Sequence, residues 1–153
     1  MEQINLYKLV LDNWYWNRFN SISNYQKTII AMNGMSNIGF TEDFRTIRMN
    51  LGRRQGASTA IQEFIKDHLD LNIIVIFPNQ SHLDYFKSNN LKFNTSKLKL
   101  YSSKNMRGIT IQNDVDIVFI DVASYTDHEE VLEASLSQLN SSYNKNQWVI
   151  KFG

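Results

Sequence analysis

Leu51-Gly52-Arg53-Arg54-Gln55-Gly56-Ala57-Ser58-Thr59-Ala60 is the stretch whose reading decides the fold. It follows Thr46-Ile47-Arg48-Met49-Asn50-Leu51, whose alternation predicts a strand, and it precedes a helical pattern over 60–69. Strand, glycine-bearing loop and helix, in that order, form a phosphate cradle. Glycines let the backbone turn tightly and approach an anion, the first N–H groups of the helix point at it, and a small hydroxyl can hold a magnesium ion. Gly52, Arg53, Arg54, Gln55, Gly56, Ala57, Ser58 and Thr59 are therefore the candidate ligand-contacting residues of the loop. The usual pattern ends Gly-Lys-Ser/Thr, and here the lysine position is Ala57.

Downstream, the helix that starts near Ser58 turns Ile61, Phe64, Ile65 and Leu69 inward and ends at Asp70. Leu71-Asn72-Ile73-Ile74-Val75-Ile76-Phe77 is apolar on both faces, as an interior parallel strand covered by helices must be. A short helix over 81–88 buries Leu83 and Phe86, and the alternating segment 97–101 predicts a strand near an edge. Residues 116–121 form a buried strand that delivers Asp121 at its carboxyl end. A helix over 128–139, capped by Thr126 or Asp127, and a last strand over 147–152 follow.

Upstream, Ile4, Leu6, Leu9, Val10 and Trp14 recur at helical spacing over 4–19, with a break expected near Asp12-Asn13. The aromatic group Trp14, Tyr15, Trp16 and Phe19 could stack bases, but on an amphipathic helix it reads more simply as packing. A second helix is expected over 21–32. Strands alternating with helices, several of them fully apolar, predict an α/β layered fold with a mostly parallel sheet. The expected organisation is one domain over 1–153, an N-terminal helical segment over 1–45 followed by an α/β core over 46–153.

Composition narrows the function classes. Sixteen basic against fifteen acidic residues give a net charge of +1, so only local clustering can speak for nucleic acid. The absence of cysteine removes disulfides and thiolate chemistry, and no signal-like start or membrane-length apolar run is present, so a soluble cytoplasmic protein with no membrane partner is expected. His68, His82 and His128 are scattered without partners at metal-ligand spacing, so a zinc site is not expected; His68 reads as a helix-end dipole contact.

Ligands of open α/β sheets bind outside the carboxyl ends of the strands, where both the glycine loop and Asp121 fall. A hydroxyl at Ser58 or Thr59 and the Asp121 carboxylate could together hold magnesium against the phosphates of a nucleotide. Gln26 could read an adenine edge, or simply be solvated. Arg45, Arg48, Arg53 and Arg54 form one basic run, and Lys97, Lys99, Lys104 and Arg107 form another. Converging on one face they would track the phosphates of DNA or RNA; apart, they are solvated charge.

Taken together, Tyr25-Gln26-Lys27, the loop 52–59, Met106-Arg107-Gly108 and Ile117-Val118-Phe119-Ile120-Asp121 resemble the ATPase domain of phage terminase large subunits, P-loop motors that package viral DNA and are similar to helicases. The resemblance spans roughly residues 25–153. It implies a P-loop NTPase-like three-layer fold in minimal form, ATP or ADP with magnesium as ligand, and Gln26 on the adenine. Two departures matter. The lysine position is Ala57, and Val122 stands where the resemblance implies a catalytic glutamate. Arg53 or Arg54 could grip phosphate in the lysine's place, since a guanidinium binds it bidentately. Glu129 and Glu130 lie seven or more residues beyond Val122. The strand and helix that follow in the resembled domain, and its nuclease domain, are not expected in these 153 residues.

The expectation is thus a small phage or viral protein of the host cytoplasm that binds a nucleotide with weak or no hydrolysis. Two alternatives stand beside it. One is a non-enzymatic module that keeps the scaffold to bind nucleic acid, a viral protein or another copy of itself. The other is an active ATPase that uses Arg53 or Arg54.

Overall fold

A computed structural model describes residues 4–19, 46–49, 56–89, 96–105, 115–121 and 148–153. In chain order the elements are α1 (Leu6–Arg18), β1 (Thr46–Met49), α2 (Ala57–Asp67), β2 (Ile73–Phe77), α3 (Gln80–Asn89), β3 (Leu98–Ser102) with a 3-10 turn (Ser103–Asn105), β4 (Ile117–Asp121) and β5 (Trp148–Phe152). The strands form one five-stranded sheet in the order β1-β5-β4-β2-β3, and every pairing is parallel. The chain is therefore α/β, with β1 and β3 at the edges. The helices expected over 21–32 and 128–139 lie outside the described residues.

The continuous apolar runs of the central strands now have a cause. Ile73, Val75 and Phe77 of β2, Ile117 and Phe119 of β4, and Trp148, Ile150 and Phe152 of β5 join one buried cluster. The alternate residues Ile74, Ile76, Val118, Ile120 and Val149 join a second. Successive side chains point to opposite faces of a strand, so burial on both faces removes the polar alternation of a half-exposed sheet.

All three described helices contribute to the first cluster, through Tyr7, Leu11 and Trp14 of α1, Ala60, Ile61, Phe64 and Ile65 of α2, and Leu83 and Phe86 of α3. Aromatic edges make much of the contact: Tyr7 meets Phe152 at 5.3 Å between ring centroids, and Trp14 meets Trp148 at 5.2 Å, both near-perpendicular. Trp148 Nε1 donates to the Phe19 carbonyl, whereas the buried Trp14 Nε1 has no hydrogen-bond partner among the described residues.

The expected break in α1 at Asp12-Asn13 is absent. Lys8 Nζ lies 2.7 Å from an Asp12 carboxylate oxygen one turn on and 2.8 Å from Asp67 Oδ2, closing a clamp that supports the helix through this point and ties it to α2. Burial opposes the Lys8 charge, and the Asp12 and Asp67 carboxylates outweigh it, so its pKa is raised. The structure selects which row of this helix faces inward. Ile4, Leu6, Leu9 and Val10 are exposed, while Tyr7, Leu11 and Trp14, at i, i+4 and i+7, face the sheet. Trp16 is 80% exposed, but its neighbours pack, as the aromatic group was read to do.

α2 starts one residue earlier and ends sooner than expected. His68 leaves helical geometry at φ −133° and ψ 56°, with its N–H on the Ile65 carbonyl. Leu69 therefore falls off the row that carries Ile61 and Ile65 and is 52% exposed rather than inward. His68 stands at the end of α2, where it was expected, and rings enclose it there. It lies 4.0 Å from the Tyr15 ring and 4.4 Å from Phe64, and burial lowers its pKa against the upward pull of Asp67, Asp70 and Asp12.

Asp116 ties the amino ends of the central strands. Its Oδ2 accepts the Asn72 N–H at 2.9 Å, its own N–H reaches the Asn72 carbonyl at 2.8 Å, and its carbonyl accepts from Trp148 N–H at 2.9 Å. The carboxyl ends are left to the loops.

Candidate functional site

The registers align a row across the carboxyl edge of the sheet. Met49 pairs with Phe152, Phe152 with Asp121, and Phe77 with Ser102; Ile76 pairs with Ile120, which puts Phe77 level with Asp121. Asp121 is the one charged side chain in that row. β2 continues through α3 to β3 on one side of it, while β4 and then β5 step the other way, so the connections diverge between β2 and β4. That divergence is where an open α/β sheet presents a crevice.

Ser58 reaches this place from α2. Its Oγ donates to Asp121 Oδ2 at 2.8 Å across 63 residues of sequence. β5 lies between β1 and β4, so the two parent strands are about 10 Å apart at the usual strand spacing. Ser58, in the first turn of α2, meets Asp121 through its side chain. Thr59, the other candidate hydroxyl, is exposed. Ala57 packs its methyl against the apolar cluster on the α1 side, so the position that would carry a phosphate-gripping lysine is spent on packing.

Gly56 starts the helix from the left-handed region, at φ 81° and ψ 32°, and offers no capping side chain. Its carbonyl accepts the Ala60 N–H at 2.9 Å and the Asn5 Nδ2 at 2.9 Å. The first turn has no side-chain cap and no acidic residue of its own, a composition that suits an anion at a helix N-terminus.

Asp121 is pushed up from the ordinary carboxylate value. Burial is the main cause, opposed by the Ser58 hydrogen bond and by the charge of His82. His82 sits in the first turn of α3, just beyond the end of β2. Asn79 Oδ1 accepts the His82 backbone N–H at 2.9 Å and also lies 2.9 Å from His82 Nδ1, so Nδ1 must carry the proton in that contact. Ser103 Oγ, itself buried, donates to the Pro78 carbonyl at 2.9 Å and fixes the chain where β2 ends.

These residues suit a magnesium ion in one limited sense. A carboxylate and a hydroxyl 2.8 Å apart could both turn oxygen lone pairs to a hard cation, whose charge would offset the burial of Asp121. Among the described residues no three His, Cys, Asp or Glu side chains converge, so water and the ligand's own oxygens would complete the coordination.

Of the residues predicted from sequence, Gly56, Ala57, Ser58 and Asp121 come together. Gln26, Gly52, Arg53, Arg54, Gln55, Arg45, Arg107, Val122, Glu129 and Glu130 lie outside the described residues. The described members of the two basic runs do not converge. Arg48 is on edge strand β1, with its Nε on the Gly153 carbonyl at 3.2 Å. Lys97 and Lys99 belong to the opposite edge, with Lys97 Nζ on the Asp70 carbonyl at 3.0 Å. Four strand spacings, about 19 Å, separate the edges.

Asn5, Asn79 and His82 were missed. Asn5 precedes a helical pattern as an N-cap should, and Asn79 stands three residues before His82 in the same relation, so capping logic would have found both. Only the sheet order brings the charge of His82 to bear on Asp121. Among the described residues no helix is long and apolar enough to cross a membrane. No family model matches the sequence, and neither curated proteins nor solved structures give a match.

Proposed function

We propose that the protein binds a nucleotide with magnesium at the carboxyl edge of its sheet, between the first turn of α2 and the end of β4, with little or no hydrolysis. The observation that carries this reading is the Ser58–Asp121 hydrogen bond, which joins the hydroxyl of a glycine loop to the carboxylate of a buried strand. In the proposed complex the N–H groups that open α2 face the phosphates, and Ser58 and Asp121 hold the metal directly or through water. The terminase-like motifs support the same ligand and extend the proposal to a viral DNA-packaging ancestry.

Weak turnover follows from what the site holds. Phosphoryl transfer rests on placed charge, and the methyl of Ala57 supplies none. ADP or ATP with magnesium at millimolar concentration is expected to raise the melting temperature, and Ser58→Ala or Asp121→Ala to abolish that rise. An unchanged melting temperature in wild type would refute the proposal. Salt-sensitive DNA binding that survives both substitutions, without any nucleotide effect, would favour a scaffold that binds nucleic acid instead.

A further inference from the structure

The geometry points to Asn5 as a positioning residue for the phosphate loop, coupling helix α1 to the shape of the site. The Asn5 side chain bonds in two directions. Its Oδ1 accepts the Lys8 N–H at 3.2 Å and caps α1, and its Nδ2 donates to the Gly56 carbonyl at 2.9 Å, 51 residues away. One partner is a backbone donor and the other a backbone acceptor, so only one orientation of the amide satisfies both.

Gly56 is the residue that this bond holds. It occupies the left-handed region at φ 81°, and a Cβ built on it would come within 2.6 Å of Asn5 Nδ2. The same carbonyl accepts from Ala60 and thereby closes the first turn of α2, the turn that carries Ser58 to Asp121. A glycine is free to leave this conformation, and the Asn5 amide removes that freedom. α1 is in turn seated on the sheet by Tyr7 and Trp14 and on α2 by Lys8. Gly56 and the first turn of α2 are thus held from outside by a separate helix.

The capping and loop bonds use different atoms, so substitution can separate them. Asn5→Ser keeps an uncharged capping oxygen but is too short to reach Gly56. Asn5→Asp keeps the cap and loses the donor. Leu11→Ala loosens α1 through its buried face without touching the loop. Amide exchange over 57–60, compared with global stability from urea unfolding, should be about tenfold faster in both Asn5 variants and should follow global stability alone in Leu11→Ala. Exchange in the Asn5 variants that merely follows global stability would overturn the assignment.

The ligand arm rests on the nucleotide reading. Magnesium–ADP affinity should fall about tenfold in Asn5→Ser, while Leu11→Ala keeps the wild-type value. Equal affinity in wild type and Asn5→Ser, or equal loss in Asn5→Ser and Leu11→Ala, would show that Asn5 does not set the binding shape of the loop. If wild type binds no magnesium–ADP, the nucleotide reading falls, and the exchange comparison alone decides the role of Asn5.

Discussion

Ser58 and Asp121 share a 2.8 Å hydrogen bond, and it is the contact that lowers the Asp121 pKa against the burial that raises it. Removing the hydroxyl therefore leaves a partly buried carboxylate short of a donor. Ser58→Ala should cost about 1–2 kcal/mol near pH 7 and less at acid pH, as protonation removes the carboxylate charge. Urea unfolding at the two pH values checks this, and an equal loss at both would contradict it.

Asp121 also fixes a direction of pH dependence. Its folded pKa lies above its unfolded value, so the folded state binds more protons in the window that opens near pH 4. In the ligand-free protein this contribution to stability is fully present below that window and is lost as pH rises through the folded pKa. Asp121→Asn should flatten that slope. Magnesium–nucleotide binding should depress the folded pKa by placing a cation beside the carboxylate. Stability curves from pH 3.5 to 7, with and without ligand, read both effects.

His68 works in the opposite sense. Enclosed by Tyr15 and Phe64, it is harder to protonate folded than unfolded, even with Asp67, Asp70 and Asp12 raising its pKa and Lys8 adding slightly to the depression. The unfolded chain takes up its proton first, near pH 6.5, so stability falls as the solution is acidified through that value. His68→Phe keeps an aromatic ring between the same neighbours and should remove this acid loss. Denaturation at pH 7.5 and pH 5.5 is the measurement, and a wild-type-sized drop in the variant would exclude His68 as its source.

Gly56→Ala should destabilise by about 1–2 kcal/mol, the cost of left-handed geometry for a residue with a Cβ, with an added clash against Asn5 Nδ2. The double variant Gly56→Ala with Asn5→Ala removes the clash and keeps the backbone cost. In a double-mutant cycle the paired loss should therefore be smaller than the sum of the single losses.

The two packed tryptophans should separate by their N–H groups. Trp148→Phe removes a bonded donor and leaves the Phe19 carbonyl short of one, whereas Trp14→Phe removes a donor that has no partner among the described residues. Trp148→Phe should cost more by about 1 kcal/mol. Chemical denaturation of the two variants under one condition decides it.

The central strands were legible because β2, β4 and β5 are buried on both faces and leave an unmistakable run of Ile, Val and Phe. The loop and Asp121 were legible because glycine, hydroxyl and strand-end carboxylate are local patterns. The inward row of α1 was not legible, because Leu6, Leu9 and Val10 are as apolar as Tyr7 and Leu11, and nothing local says which row meets Phe152. The end of α2 was misjudged for a related reason, since Leu69 fits helical spacing but His68 has already left the helix. Asn5 and His82 become site residues only through the fold, one by reaching 51 residues along the chain and the other by the adjacency of β2 and β4.

The sheet order carries one more consequence, for the route by which the chain reaches this structure. β5, the last described strand, lies between β1 and β4 and pairs with both. Neither neighbour can be built outward from a local hairpin, and Thr46 meets Val149 only after a closure of more than a hundred residues. Such pairing delays the reward for ordering and slows folding. During synthesis Ser58 and Asp121 both emerge before the strand that sets their spacing. Their meeting is then expected late in folding, once Trp148–Phe152 has paired in the middle of the sheet.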